Sequence, residues 1–127
     1  MNIEKNDILN REDIVLLMDE FYKKLLADEG IAYIFTDVAK INMIHHMPVL
    51  ADFWEMILFQ KGDYQKNVML IHQQLNSKTS LTKEHFNTWL NYFMKSVDEL
   101  FTGTNAELAK QRACSIATLM QIKMHKQ

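Results

Sequence analysis

Apolar residues recur along much of the chain at intervals of three and four, the spacing that lines one face of an α-helix. The clearest run is Ile14, Leu17, Met18, Phe21, Tyr22 and Leu25. Asn10 precedes it as an N-cap, and Glu12 and Asp13 put negative charge in the first turn. The spacing therefore predicts a first long helix, ended by Asp28-Glu29-Gly30. Ile31 to Phe35 is too brief for an independent helix and is expected to tuck into the core, with residues 36–46 a loop holding a helical turn. Pro48 is the single proline and suits a first turn, so a second helix is set at 47–48, running through Val49, Leu50, Phe53, Trp54, Ile57 and Leu58 toward Gln60. Gly62-Asp63 reads as a turn, 67–75 as a short helix and 76–80 as a polar loop. Thr82 is suited to cap a long helix carrying Phe86, Trp89, Leu90, Phe93 and Val97, closed by Gly103. Thr104 and Glu107 have capping-box spacing and open a last helix through Leu108, Ala109, Cys114, Ile116, Ala117, Met120 and Met124.

Composition narrows the fold class. Three glycines and one proline stand in 127 residues, where average usage would give roughly nine and six. A β-sandwich or a doubly wound sheet needs more turn residues than that. An all-α fold in one domain, 1–127, is expected, with 1–9 a flexible N-terminal extension. At 48% hydrophobic and 24% charged the chain can bury a sizeable core. A net charge of −2 gives no bulk attraction to nucleic acid or to anionic lipid. No apolar stretch reaches the roughly 20 residues of a membrane span, and the N-terminus lacks a signal-peptide pattern. One cysteine, Cys114, cannot form an internal disulfide. A cytoplasmic protein is expected, monomeric, with no nucleic acid and no membrane among its partners. Cys114, between small residues, reads as helix packing.

Candidate chemistry is confined to isolated polar groups on apolar faces. The five histidines have no HExxH spacing, and there is no Gly-rich phosphate loop and no GxSxG elbow. His72 is the most informative, because Val68, Ile71 and Leu75 place it on the apolar face of its segment. It is either a core histidine bonded to a carbonyl or a metal or haem ligand. His85 and His125 read as solvated.

The order of several residues resembles the truncated haemoglobins, specifically their third group. These are Phe21-Tyr22, Ile34-Phe35, His46, Phe53-Trp54, Gly62-Asp63-Tyr64, His72 and the pattern Phe86-x-x-Trp89-Leu90-x-x-Phe93. The likeness runs from residue 12 to 122, and its strength lies in the set, not in any one member. It implies a truncated-globin fold, a two-over-two helical sandwich around haem b (iron protoporphyrin IX). His72 would be the proximal iron ligand. Tyr22, His46 and Trp89 would stabilise a distal ligand, and Phe35, Leu50, Phe53, Trp54 and Phe93 would line the porphyrin. His46 is the open member: His45 stands beside it and Pro48 two residues on, so it could ligate iron, gate the pocket, face solvent or yield its role to His45.

The function implied is binding of O2 and related diatomic ligands, with NO, CO and peroxide among the small ligands. NO-dioxygenase or peroxidase-like chemistry would draw on an unidentified reductase, the chain being too small for a flavin domain, and whether the protein is an enzyme stays open. Two alternatives stand beside it: a bis-histidine haem protein for electron transfer or redox sensing, with His46 and His72 as ligands, and a haem-free α-helical interaction module.

Overall fold

The computed structural model describes residues 5–61 and 81–124. All regular structure among the described residues is helical: α1 (Arg11–Ala27), α2 (Glu29–Tyr33) running into a π-helical turn (Ile34–Val38), α3 (Met43–Phe59), α4 (Lys83–Leu100) and α5 (Thr104–Met124). α1 packs against α3 and α4 against α5, and α1 also lies against α4, which joins the two pairs into a two-over-two helical sandwich. The segment expected to carry the short helix 67–75, with Tyr64 and His72, lies outside the described residues, as does His125.

α1 is as its pattern predicts. The Asn10 side chain accepts from the Asp13 N–H at 2.9 Å, and Ile14, Leu17, Met18, Phe21, Tyr22 and Leu25 form its buried face. Asp28 ends α1 and caps α2, its side chain accepting from the Gly30 N–H at 2.8 Å. Its other carboxylate oxygen accepts from the Tyr92 hydroxyl at 2.7 Å. Those two bonds, Tyr92's first, hold the Asp28 carboxyl below its ordinary range. They also explain why 29–33 is helical despite its length: the short piece is anchored to α4 and does not have to nucleate alone. Ile31 and Ile34 tuck into the core as expected.

α3 starts earlier than Pro48 suggests. Asn42 caps it, accepting from the Ile44 N–H at 3.0 Å, while its carbonyl receives the His46 N–H at 2.8 Å. Pro48 therefore lies in the second turn, where its missing N–H forfeits one bond but does not stop a helix already capped. The helix ends at Gln60, which adopts a left-handed conformation with φ 56°.

Residues 5–10, assigned largely to a flexible extension from sequence, are packed against the turn between α4 and α5. Ile8 is fully buried, and the Thr102 N–H donates to the Asn6 carbonyl at 3.0 Å. The Asp7 carboxylate accepts from the Asn105 and Ala106 N–H groups at 2.9 and 2.8 Å, so the α5 N-terminus is capped from far along the chain. The expected Thr104–Glu107 capping box gives way to this cap, and Glu107 pairs with Lys110 at 3.1 Å instead. Gly103 makes the approach possible: its φ is +138°, and an added Cβ would meet Asp7 Cγ at 2.5 Å.

The capping of α4 by Thr82 is observed, with His85 completing a capping box: its Nδ1 accepts from the Thr82 N–H at 3.1 Å. The half-buried ring, expected to be solvated, also meets the Tyr33 hydroxyl at 3.3 Å. α5 buries Ala106, Ala109, Ala113, Ala117 and Met120, a small-residue face that lets α5 approach its neighbours closely. Cys114 is exposed, which corrects its reading as a packing residue: it lies one position, about 100° of helix rotation, from Ala113.

Asp7→Ala is expected to lower unfolding stability by about 1–2 kcal/mol, the usual cost of losing an N-cap, in urea denaturation. Gly103→Ala is expected to cost at least as much, since it adds strain at a positive φ to a clash with Asp7. A loss under about 0.3 kcal/mol in both variants would show that the N-terminal clasp contributes nothing.

Candidate functional site

Three helices and the π-helical turn bring most of the expected site residues into one aromatic cluster. Tyr22 is on the buried face of α1, its residue 6% exposed. The early start of α3 puts His46 in the first turn, half-buried, with its Nε2 3.2 Å from the Tyr22 hydroxyl oxygen. The two rings meet edge to face at 5.8 Å between centroids. His45, one residue away, is exposed, so the neighbour that reaches Tyr22 is His46.

Around this pair the surroundings are apolar. Phe35, from the π-helical turn, meets the Tyr22 ring edge-on at 5.6 Å. Phe93 on α4 is fully buried and stacks between two indoles: Trp54 from α3 at 5.0 Å and Trp89 from its own helix at 5.9 Å. Phe53 lies edge-on to Trp54 at 5.3 Å. Leu50 is partly buried against the same core. His72 lies outside the described residues.

Phe21, part of the family resemblance but given no site role from the sequence, is the residue that the structure adds to the cluster. Its ring makes edge contacts with Tyr22 at 5.3 Å, Trp89 at 5.6 Å and Phe93 at 5.3 Å, so it joins the polar pair to the stacked rings. Edge-to-face and offset-stacked rings contribute about 0.5–1.5 kcal/mol each beyond the area they bury, so the cluster resists rearrangement. Nothing in the sequence separates Phe21 from its neighbours on the α1 stripe; only the convergence of three partners does.

The electrostatics follow from burial. Removing the Tyr22 phenol from water disfavours its anion and pushes its pKa well above the ordinary value, so the hydroxyl keeps its proton through the physiological range. In the neutral state either the Tyr22 O–H donates to His46 Nε2, or Nε2 carries the ring proton and donates to the Tyr22 oxygen. In the second arrangement the Tyr22 proton is available to a third group. The arrangement thus offers hydrogen-bond donors inside an apolar wall, which suits a flat apolar cofactor that presents a polar ligand. Among the described residues no group of three or more His, Cys, Asp or Glu could hold a bare metal ion. No described helix is long and apolar enough to cross a membrane.

Comparison with known proteins gives a consistent result. No family model matches the chain. It is 27% identical over 125 residues to a group 3 truncated haemoglobin of Campylobacter jejuni, covering 96% of each chain. It also superposes on the crystal structure of a group III truncated haemoglobin from Campylobacter jejuni with a TM-score of 0.85, 26% identity and 97% of both chains covered.

A phenol whose folded pKa is raised contributes stability that is complete below the unfolded value near 10 and is lost as pH rises above it. Tyr22→Phe is therefore expected to flatten the loss of stability between about pH 10 and 12, followed by urea denaturation across that range. It should also remove the most alkaline tyrosinate step in an ultraviolet titration. An unchanged alkaline profile would show that the Tyr22 hydroxyl is not buried.

Proposed function

We propose that the chain is a truncated globin akin to the group III haemoglobins it resembles, and that it binds haem b and, on it, O2 and related diatomic ligands. The observation that carries the reading is the Tyr22–His46 pair, a phenol and an imidazole in hydrogen-bond contact within an aromatic wall. When bound, haem supplies the iron that takes up the diatomic ligand and the redox chemistry that goes with it.

The chain's own groups do the rest. His72 is the residue that would hold the haem iron, through one nitrogen of a neutral imidazole. Phe35, Leu50, Phe53, Trp54 and Phe93 would hold the porphyrin and exclude water, which would raise the value of every hydrogen bond inside. A diatomic ligand that gains negative charge on binding would be stabilised by the donors of this chain. Tyr22 provides an O–H and Trp89 an indole N–H that can only donate. His46 provides a second N–H; when it donates to the Tyr22 oxygen, it frees the phenol proton for the ligand. A hydrogen bond to a charged group contributes about 1.5–3 kcal/mol, so such donors favour slow ligand release over delivery.

Turnover of NO or peroxide on the haem would draw its electrons from a separate reductase.

Absorption spectra of the haem-loaded protein in ferric, dithionite-reduced and CO-bound forms test the reading. A Soret band with a CO form typical of histidine-ligated globins is expected, and His72→Ala should abolish it. Tyr22→Phe and Trp89→Phe are each expected to speed O2 release by about 10- to 100-fold in stopped flow. Absence of stoichiometric haem uptake by the folded protein would leave only a haem-free helical module.

A further inference from the structure

Seven large apolar residues are exposed among those described, and two of them, Leu16 at 50% and Ile44 at 82%, converge on one open groove of about 520 Å³ between α1 and the first turn of α3. Val15, Met43 and Met47 also line it and pack partly into the core, so its base is rigid where its sides are bare. Convergence of this kind, unlike a scattered exposed leucine, marks an interaction surface.

The charges on the groove state what fits it. Its remaining described lining residues are Glu12 and Asp19, and none of the described lining residues is basic. They stand seven residues apart on α1, two turns, which separates them by about 10 Å along the axis. Neither forms an ion pair with a described residue: Arg11, beside Glu12, is held by Asp52 at 2.8 Å and by Glu55 on α3, and Lys23, four residues after Asp19 on α1, makes no ion pair with it. An apolar strip with a carboxylate toward each end complements a helix that carries apolar residues between two cations seven positions apart.

A second copy of this chain does not meet that requirement. No two of its 14 lysines and arginines stand seven residues apart, and a two-fold contact through the groove would set its own carboxylates against each other. An anionic membrane surface is opposed by the same two charges.

We propose that the α1–α3 groove docks a basic amphipathic helix of another protein. Lys or Arg at positions i and i+7 would face Glu12 and Asp19, with apolar side chains at i+3 and i+4 entering among Leu16, Met43, Ile44 and Met47. None of the residues assigned to the porphyrin is among the described lining residues of the groove, so the proposal stands independently of haem binding.

The test uses the full-length protein and a synthetic helical peptide with Lys at i and i+7 and Leu at i+3 and i+4, titrated by calorimetry and by methyl NMR. Shifts centred on the methyl groups of Met43, Ile44 and Met47 are expected. The Glu12→Lys/Asp19→Lys double variant should weaken binding at least tenfold, and so should Ile44→Asp. A peptide with Glu in place of the two lysines should bind at least tenfold more weakly. Circular dichroism of each variant separates loss of the groove from loss of fold, and these surface changes should leave the helical signal intact. The proposal is overturned by shifts centred elsewhere, by equal binding of the acidic peptide, or by binding that survives both variants. Concentration-dependent dimerisation that Ile44→Asp abolishes, or uptake onto anionic vesicles through the same residues, would also overturn it, because either assigns the groove a different occupant.

Discussion

Burying the Tyr22 hydroxyl is the constraint on which the site depends. A phenol oxygen in an apolar interior costs roughly 1–3 kcal/mol unless it has a partner, and here the partner comes from another helix. That requirement makes the starting point of α3 matter. With Asn42 as its cap, α3 puts His46 in the first turn, where the ring reaches Tyr22. Had the helix begun at Pro48, His46 would precede it and the phenol would need another acceptor or donor. Local capping chemistry at Asn42 thus determines whether a polar pair forms in the core of the molecule.

The aromatic rings translate that pair into a shaped wall. Phe21 touches Tyr22, Trp89 and Phe93 at once, and Phe93 in turn lies between two indoles. Three helices contribute to a single stack, so a shift in any one of them is felt at the others. Close packing of this kind gives the donors fixed directions, which is what a ligand-binding site requires and what a merely greasy core does not. The small-residue face of α5 and the Asp7 cap act at a distance: they fix α5 against α4, the helix that carries Trp89 and Phe93.

The surface tells a second, separate story. Most of the apolar area is spent on the core, yet α1 leaves Leu16 bare on the side away from Tyr22, and Ile44 stands bare two residues before His46, on the other side of α3. α1 and α3 therefore serve two faces, an inward one that builds the aromatic cluster and an outward one whose charges select a partner.

How much of this was legible in the sequence follows from the range of the interactions involved. α1 was readable in full, because a 3.6-residue stripe and an Asn cap are local signals and tertiary packing reinforced both. The body and cap of α4 were readable for the same reason. The scarcity of glycine and proline was enough for an all-α class, and the ordered set from Phe21-Tyr22 to Phe93 was enough for the globin resemblance. The start of α3 was misplaced because proline is a stronger local signal than asparagine, while a helix already capped tolerates proline in its second turn. Cys114 was misplaced because one residue on a helix turns the side chain by about 100°. Only the tertiary structure decided between His45 and His46, made Asp7 the cap of a helix almost a hundred residues away, and made Phe21 a hub. Each of these depends on residues distant in sequence meeting in space, and a pattern that repeats every three or four positions carries no information about which turn of one helix will face which turn of another.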